Sequence, residues 1–305
     1  MIFRNFMNEF FHKPVMLKEV LDALDPRPDQ HFIDATLGAG GHAEAILKQT
    51  APHGKLLGID RDPEMLGIAR ERLAAFGSRL IPVCAPYNQM RTIAKKRMLG
   101  PVQGVLFDLG LSSWHLEHSG RGFSFQSALL RDRYDEPLDM RFNPAAAGPT
   151  AAEILNSSSQ DELARIFVEY GEEPRAHEIA KAIVRQRKRE RFEKTGQLVE
   201  IIGKRRTRVH PATKVFQALR IAVNHELEFL EKGLSAAIET LTQGGKIAAI
   251  AFQGLEARVI KNTFRLWERE QKGRRVNAHA IAPSREEIRA NSRARSAHLY
   301  IFHHI

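Results

Sequence analysis

The stretch His31-Phe-Ile-Asp-Ala-Thr-Leu-Gly-Ala-Gly-Gly-His42 narrows the fold more than any other part of the chain. Its apolar start, Phe32 to Ala35, reads as a buried strand. A glycine-rich turn follows, and a helix begins near His42. Gly38, Gly40 and Gly41 lack a Cβ, so this turn can take positive φ and bring its backbone close to a ligand. The amides of the helix start then point at that ligand. About twenty residues further on, Lys55-Leu-Leu-Gly-Ile-Asp60 is a second strand that ends on a carboxylate. A dinucleotide-type fold holds a ribose diol at that place. A plain strand–turn–helix corner accounts for the glycines alone. The turn together with the acid points to a nucleoside-binding site.

The neighbouring segments extend the same pattern. His12-Lys-Pro-Val-Met-Leu17 is an extended entry, because Pro14 biases Lys13 away from helix. Lys18 to Leu24 is a short helix that Pro26 and Pro28 end. Asp62-Pro63 opens another, with proline at the first helical position. Leu80-Ile-Pro-Val-Cys84 suits a sheet edge, since its proline cannot donate to a ladder. Tyr87 follows it and either covers an adenine ring or is an ordinary half-buried tyrosine. Gly104-Val-Leu-Phe-Asp108 is a fourth strand, again ending on an acid, and Ser112-Ser113 come just after. Asp108 there either faces a cleft or caps a helix. The βαβαβαβ order predicts an α/β fold with a doubly wound parallel sheet.

From about Trp114 to His210 no clear strand is legible. Ala151 to Leu155, Gln160 to Tyr170, Arg175 to Arg189 and Leu198 to Ile202 read as helices. We expect residues 114–210 to be a helical insert, and residues 1–113 and 211–305 to form the sheet domain. Between Lys181 and Lys214 there are twelve Lys or Arg against three Glu. A charge run is often only a solvated face, but this density and loss of acids favour phosphate contact. Lys188, Arg189, Lys204 and Arg205 are the candidate phosphate contacts. Beyond His210 a long helix is expected from Lys214 to Leu241 with a break near Asn224. Gly244-Gly245 then turns into a strand, Lys246 to Phe252, followed by a helix, Leu255 to Arg269. Residues Ala278 to Ala282 and Ser296 to Phe302 are candidate closing strands. Arg274, Arg275, Arg285, Arg289, Arg293 and Arg295 make a second basic area.

Composition narrows the partners. Forty-six Lys and Arg against 36 Asp and Glu leave a formal charge of +10, which favours nucleic acid over a membrane. The single cysteine, Cys84, excludes an internal disulfide and a cysteine-cluster zinc site. It fits a reducing, cytoplasmic setting. No apolar run approaches membrane-spanning length. Met1 to Phe11 lacks the apolar core of a secretion signal and reads as a short arm. No metal site is expected.

These residues taken together resemble the RsmH (MraW) family of bacterial 16S ribosomal RNA cytosine-N4 methyltransferases. The similar stretches are His12 to Leu17, Ile33 to His42, Ile59-Asp-Arg-Asp-Pro63, Phe107-Asp-Leu-Gly-Leu-Ser-Ser113 and Arg121-Gly-Phe-Ser-Phe125. Pro137-Leu-Asp-Met-Arg141, Tyr170-Gly-Glu-Glu173, His210 through Glu228 and Arg293-Ala-Arg-Ser-Ala297 continue the likeness in the same order. The resemblance implies a class I methyltransferase-type, Rossmann-like sheet with an inserted helical domain. It also implies S-adenosylmethionine as methyl donor and a decoding-region cytosine of 16S rRNA, free or in the small subunit, as target. Matched by motif, the cofactor contacts are Gly40, Gly41, His42, Asp60, Tyr87, Asp108 and His115, with Gly38 added by the turn itself. Tyr87 stands where the family commonly has Phe, and His115 where it has Gln. Ala251-Phe-Gln-Gly-Leu-Glu-Ala-Arg258 stands where it usually has Ser-Phe-His-Ser-Leu-Glu-Asp-Arg.

Methyl transfer to cytosine N4 needs the amine aligned behind the methyl carbon and an acceptor for its proton. A paired base must also leave its stack to enter such a pocket. Asp108, Ser112, Ser113 and Asp139 are the candidates for the acceptor. A salt bridge from Asp139 to Arg141 or Arg121 is the alternative for that residue, and for His42 a first-turn helix position. Two other functions stay open. Gly38-x-Gly40-x-x-Ala43 also fits a nicotinamide-dependent oxidoreductase. The altered Gln253–Ala257 segment leaves room for a non-catalytic RNA-binding assembly factor. The sequence does not fix the oligomeric state, and a dimer stays open.

Overall fold

The computed structural model describes residues 14–97, 99–126, 135–203 and 210–305. The expected arm Met1–Phe11, the start of the extended entry, and two of the four candidate RNA contacts, Lys204 and Arg205, lie outside the described residues. The chain divides into two compact units, residues 1–110 with 227–305, and residues 111–226.

In chain order the first elements are α1 (Leu17–Leu24), β1 (His31–Asp34), α2 (Gly41–Gln49), β2 (Leu56–Asp60), α3 (Pro63–Arg72), β3 (Leu80–Cys84), α4 (Met90–Lys96) and β4 (Val102–Asp108). Next come α5 (Ser113–Glu117), α6 (Ala151–Ser157), α7 (Gln160–Glu169), α8 (Ala176–Gln186), α9 (Thr195–Ile202) and α10 (Ala212–Asn224). The last are α11 (Glu226–Ile238), β5 (Leu241–Ala251), α12 (Gly254–Arg269), β6 (Gly273–Arg275), α13 (Arg285–Ala290) and β7 (His298–His304).

The first unit is built on one sheet of order β3-β2-β1-β4-β5-β7-β6. Strands β3, β2, β1, β4 and β5 are parallel, and β7 runs antiparallel to β5 and β6. This is the Rossmann-like, class I methyltransferase-type sheet. Successive residues of a strand point to opposite faces, and both faces are covered. Ile33, Leu57, Phe107 and Ala249 pack with Leu234 of α11 and Ile260 and Phe264 of α12 on one side. Phe32, Leu56, Leu106 and Ile250 pack with Ile46 and Leu47 of α2 and Leu66 of α3 on the other. Phe107 is fully buried, and truncating such a side chain to Ala costs about 3–5 kcal/mol. Pro82 sits on the edge strand β3, where its missing N–H leaves no gap. Because β1 to β5 are parallel, the two acid-ended strands β2 and β4 end at one edge, and Asp34 closes β1 there as well.

The second unit is helical, with its own core that includes Leu155, Phe167, Ile179, Leu198, Phe216 and Leu219. Capping boxes start α6 and α7. The Thr150 hydroxyl accepts from the Glu153 amide, and the Ser159 hydroxyl from the Glu162 amide, while each Glu reaches back to the cap amide. The Asn224 side chain donates to Met140 O at 2.7 Å and accepts from the Phe142 amide at 3.0 Å, tying the Pro-Leu-Asp-Met-Arg loop to α10.

The expected break in the long helix near Asn224 is present: α10 and α11 part at His225, whose φ is 51°. Three other expectations need correction. The helical unit begins at 111 and runs to 226, not from 114 to 210. Its end lies later because Ala212, Val215, Phe216 and Leu219 of α10 point into the helical core. Residues 278–282 make only a single bridge, Ile281 to Leu299, while the sixth strand is Gly273–Arg275. A three-residue edge strand of Gly-Arg-Arg has no alternation to reveal it. Finally, β5 begins at Leu241, ahead of the Gly244-Gly245 pair, and the irregularity there is a register shift against β4 between Val102 and Gly104.

Candidate functional site

The carboxyl edge of the parallel strands is where open α/β sheets place ligands. Asp34 ends β1, Asp60 ends β2 and Asp108 ends β4, and Gln253 follows β5. The glycine turn joins β1 to α2. Gly40 is the N-cap of α2 at φ 79°, and a Cβ there would come within 2.8 Å of the Leu73 side chain. A Cβ on Gly41 would come within 3.1 Å of the Pro14 ring. These two glycines therefore answer first to packing. A glycine N-cap offers no side-chain acceptor, so the first-turn amides of α2 lack a side-chain cap. Gly38 donates its amide to Asp60 Oδ2 at 2.8 Å, and Asp62 donates its amide to Asp60 Oδ1 at 2.8 Å. Asp60 thus buttresses the turn, and a carboxylate oxygen can accept more than one hydrogen bond.

Asp108 occupies the centre of this edge. Its Oδ1 is buried and has no hydrogen-bond partner. Its Oδ2 lies 3.5 Å from His42 Nδ1. Burial, then the nearby Asp34 and Glu256 carboxyls, push the Asp108 carboxyl up to about 8. Burial also raises Asp34 to about 7, with Asp60 adding to it and Thr36 opposing it by hydrogen bonds. His42 is buried, and its Nε2 lies 3.0 Å from Val15 O. A carbonyl only accepts, so Nε2 carries the proton and Nδ1 is the atom turned towards Asp108. His42 is at once a first-turn residue of α2 and a neighbour of the central acid.

Two further acceptors at the edge are buried and unpartnered, Asn88 Oδ1 after β3 and Gln253 Oε1 after β5. Gln253 is held by Glu256, which accepts from Gln253 Nε2 at 2.9 Å and from the Phe252 and Gln253 amides at 2.9 and 3.2 Å. Buried polar atoms are nearly always paired. Three open acceptors beside raised carboxyls suit a ligand that brings N–H donors and positive charge. Tyr87 is half-buried, edge-on to Phe107 at 5.5 Å between ring centres, and packed on Gly233.

The remaining candidates belong to the helical unit. Ser112 is the N-cap of α5, where its hydroxyl accepts from the His115 amide and lies 2.9 Å from His115 Nδ1. Ser113 is the first residue of that helix. His115 is buried, with Phe123 and Phe142 at 5.3 and 5.1 Å edge-on to its ring. Asp139 is clasped by Arg141, with Nε to Oδ1 at 2.7 Å and Nη2 to Oδ2 at 2.8 Å. Burial pushes its carboxyl up, but the Arg141 bonds outweigh that and hold it below the usual range. Asp139 is accordingly a weak base. Lys188 and Arg189 are exposed at the turn after α8. Their neighbour Arg187 instead donates to Leu155 O and Ser158 O at 2.8 and 2.6 Å.

Sequence reasoning passed over Asp34, Asn88 and Glu256. Asp34 ends its strand as Asp60 and Asp108 do, so the same signal could have found it. Asn88 adjoins Tyr87 and Glu256 lies in the altered segment, but neither stands in a pattern that marks it.

The MraW methylase family matches residues 9–305. Relatives named ribosomal RNA small subunit methyltransferase H are similar over most of the chain. That of Dictyoglomus thermophilum is 46% identical, over 96% of both chains. That of Thermomicrobium roseum is 44% identical, over 94% of this chain and 92% of its own. That of Geobacter sulfurreducens is 47% identical, over 84% of this chain and 82% of its own.

Proposed function

The chain belongs to the MraW methylase family, and from that premise we propose that it methylates the N4 amine of a cytosine in the decoding region of 16S rRNA. At the coarser level it is an S-adenosylmethionine-dependent methyltransferase of small-subunit ribosomal RNA. The observation that carries the reading is the row of unpartnered buried acceptors, Asn88 Oδ1, Asp108 Oδ1 and Gln253 Oε1, at one strand edge. The donor's adenine amine and α-ammonium are N–H donors, and its ammonium and sulfonium are cations. The residues present therefore fit it.

In this reading Asp60 accepts from the ribose hydroxyls while it holds the glycine turn. Tyr87 and Asn88 flank the adenine. The uncapped amides of α2 face the methionine carboxylate. His42 fixes the orientation of Asp108. Bound there, S-adenosylmethionine supplies an electrophilic methyl on a sulfonium. Transfer of that methyl to N4 would leave one amine proton for the protein to accept. Asp108 is the acceptor we favour, since a carboxyl raised by burial is a stronger base than an ordinary one. Ser112, Ser113 and His115 stand in the motif that follows Asp108, with the Ser112 hydroxyl engaged by His115. Asp139 serves the structure of its loop through Arg141. Lys188 and Arg189, with Lys204 and Arg205, make phosphate contacts in the cytoplasm, where the ribosomal substrate is.

The test is a methyl-transfer assay on small subunits that lack the modification, with the RNA digested to nucleosides for mass spectrometry. N4-methylcytidine is expected. A different methylated nucleoside would overturn the base assignment. RNA binding without transfer would favour an assembly factor. Thermal stabilisation by a nicotinamide dinucleotide but not by S-adenosylhomocysteine would favour an oxidoreductase.

A further inference from the structure

Helix α12 leaves the carboxyl edge of the sheet directly after Gln253 and packs Ile260, Phe264 and Trp267 inwards. Its outer face carries Arg258, Lys261, Arg265 and Arg269, all exposed. Their spacing of three and four residues puts them in one row along the helix. Like charges so placed repel one another, so Lys261 and Arg265 gain from an anionic partner. Neither Lys261 nor Arg265 has an ion-pair or hydrogen-bond partner among the described residues. The acid on that side, Glu268, is taken by Arg275 at 2.6 Å.

The row borders a cavity of about 360 Å³ between α12, β6 and β7. Its walls include Lys261, Arg265, Arg275, His279 and Tyr300, with Phe264 beneath. Tyr300 is half-buried and presents an aromatic wall. Cations beside one aromatic ring are the chemistry of single-stranded nucleic-acid grooves. Lys261 lies about 10 Å along the helix axis from the strand edge, at 1.5 Å per residue. The row therefore starts at the proposed site and leads away from it.

We propose that the outer face of α12 and this groove form an RNA track on the sheet unit. Lys261 and Arg265 take phosphodiesters, and Tyr300 stacks one base. The inference rests on the reading that the substrate is RNA. It adds an anchoring surface on the sheet unit to the basic run of the helical unit.

The test uses the full-length protein and a single-stranded oligonucleotide of decoding-region sequence, followed by fluorescence anisotropy over a salt series. Lys261→Ala with Arg265→Ala should weaken binding about tenfold near 0.15 M salt and lower the salt slope by about 1.4, two contacts at about 0.7 each. S-adenosylhomocysteine affinity should not change. The charge-keeping pair Lys261→Arg with Arg265→Lys should retain the wild-type slope. Tyr300→Ser should weaken binding at least about fivefold without changing the slope, and Tyr300→Phe should not. Wild-type affinity and slope in the double Ala variant would overturn the track alone. A wild-type protein that binds S-adenosylhomocysteine but not the oligonucleotide would overturn the RNA reading as well.

Discussion

Two carboxylates, one in each unit, were both proton-acceptor candidates from sequence and are opposite in structure. Asp139 of the helical unit has both oxygens engaged by Arg141. It stays ionised because those bonds outweigh its burial. Asp108 of the sheet unit has an oxygen with no partner, and burial with two acidic neighbours makes it hold its proton. In the helical unit Asn224 and the Thr150 and Ser159 caps likewise have their partners built in, while His210 Nε2 is buried there without one. The edge of the sheet leaves three acceptors open. A group that only holds a fold together gains from having its partners built in. A group that must meet a ligand needs capacity left over, and the ligand-free fold bears the strain of that.

The sharpest way to break this comparison is to neutralise each acid in turn. Asp108→Asn should reduce methyl transfer by about a thousandfold, near 4 kcal/mol, with the thermal midpoint at pH 8 unchanged or raised. It removes a carboxyl that the fold disfavours. Asp139→Asn should leave donor affinity unchanged and lower the midpoint. Loss of turnover at an unchanged midpoint in the Asp139 variant would reverse the two roles. The next effect is smaller. Arg141→Ala leaves the Asp139 carboxylate partly buried and unmatched, and should cost about 2 kcal/mol of stability. Denaturant titration would show it, and calorimetry should find S-adenosylhomocysteine binding intact. Asp60 is a mixed case, because its oxygens hold the Gly38 and Asp62 amides. Asp60→Ala should therefore weaken donor binding at least tenfold, with the loss divided between a missing diol acceptor and a loosened turn, at hydrogen bonds worth about 1.5–3 kcal/mol each. A turn-only role would lower the midpoint and leave donor affinity as it was.

How much of this was legible follows from where the signal lives. Strand ends announced themselves, since an apolar run that stops on an acid is a local pattern, and β2 and β4 end where expected. The edge position of β3 was readable from Pro82. The break at His225 was anticipated near Asn224. What sequence could not supply was partnership. The Arg141 partner of Asp139 stands two residues away and was an open alternative in the string, but only the fold brings Asp34 and Glu256 to Asp108. The glycine turn was read as an approach to a ligand, yet Gly40 and Gly41 are also demanded by Leu73 and Pro14, from elements far along the chain. The boundary at 226 escaped because helix α10 has the same periodicity whichever core it faces. Strand β6 escaped because three polar residues carry no period at all.

The last and smallest effect sharpens the comparison by its sign. In the ligand-free protein the Asp108 carboxyl titrates at about 8, above its ordinary value of 3.8. The folded state thus binds a proton more tightly than the unfolded chain. Its contribution to stability is fully present below pH 4 and declines as pH rises through about 8. Asp34, raised to about 7, acts in the same direction. A cationic donor favours the ionised carboxylate, so its binding below pH 8 must release a proton. Donor affinity should therefore rise, by up to about tenfold or 1.4 kcal/mol per pH unit, across the window in which ligand-free stability falls. Calorimetric titration of S-adenosylmethionine in buffers of different ionisation enthalpy measures the proton released. Thermal denaturation from pH 5 to 9 measures the stability. Asp108→Asn should flatten the affinity profile and leave the Asp34 part of the stability profile, while Asp139→Asn should alter neither slope. Proton uptake on binding, or a profile that Asp108→Asn leaves unchanged, would mean that the open acceptor is not where the donor's charge is met.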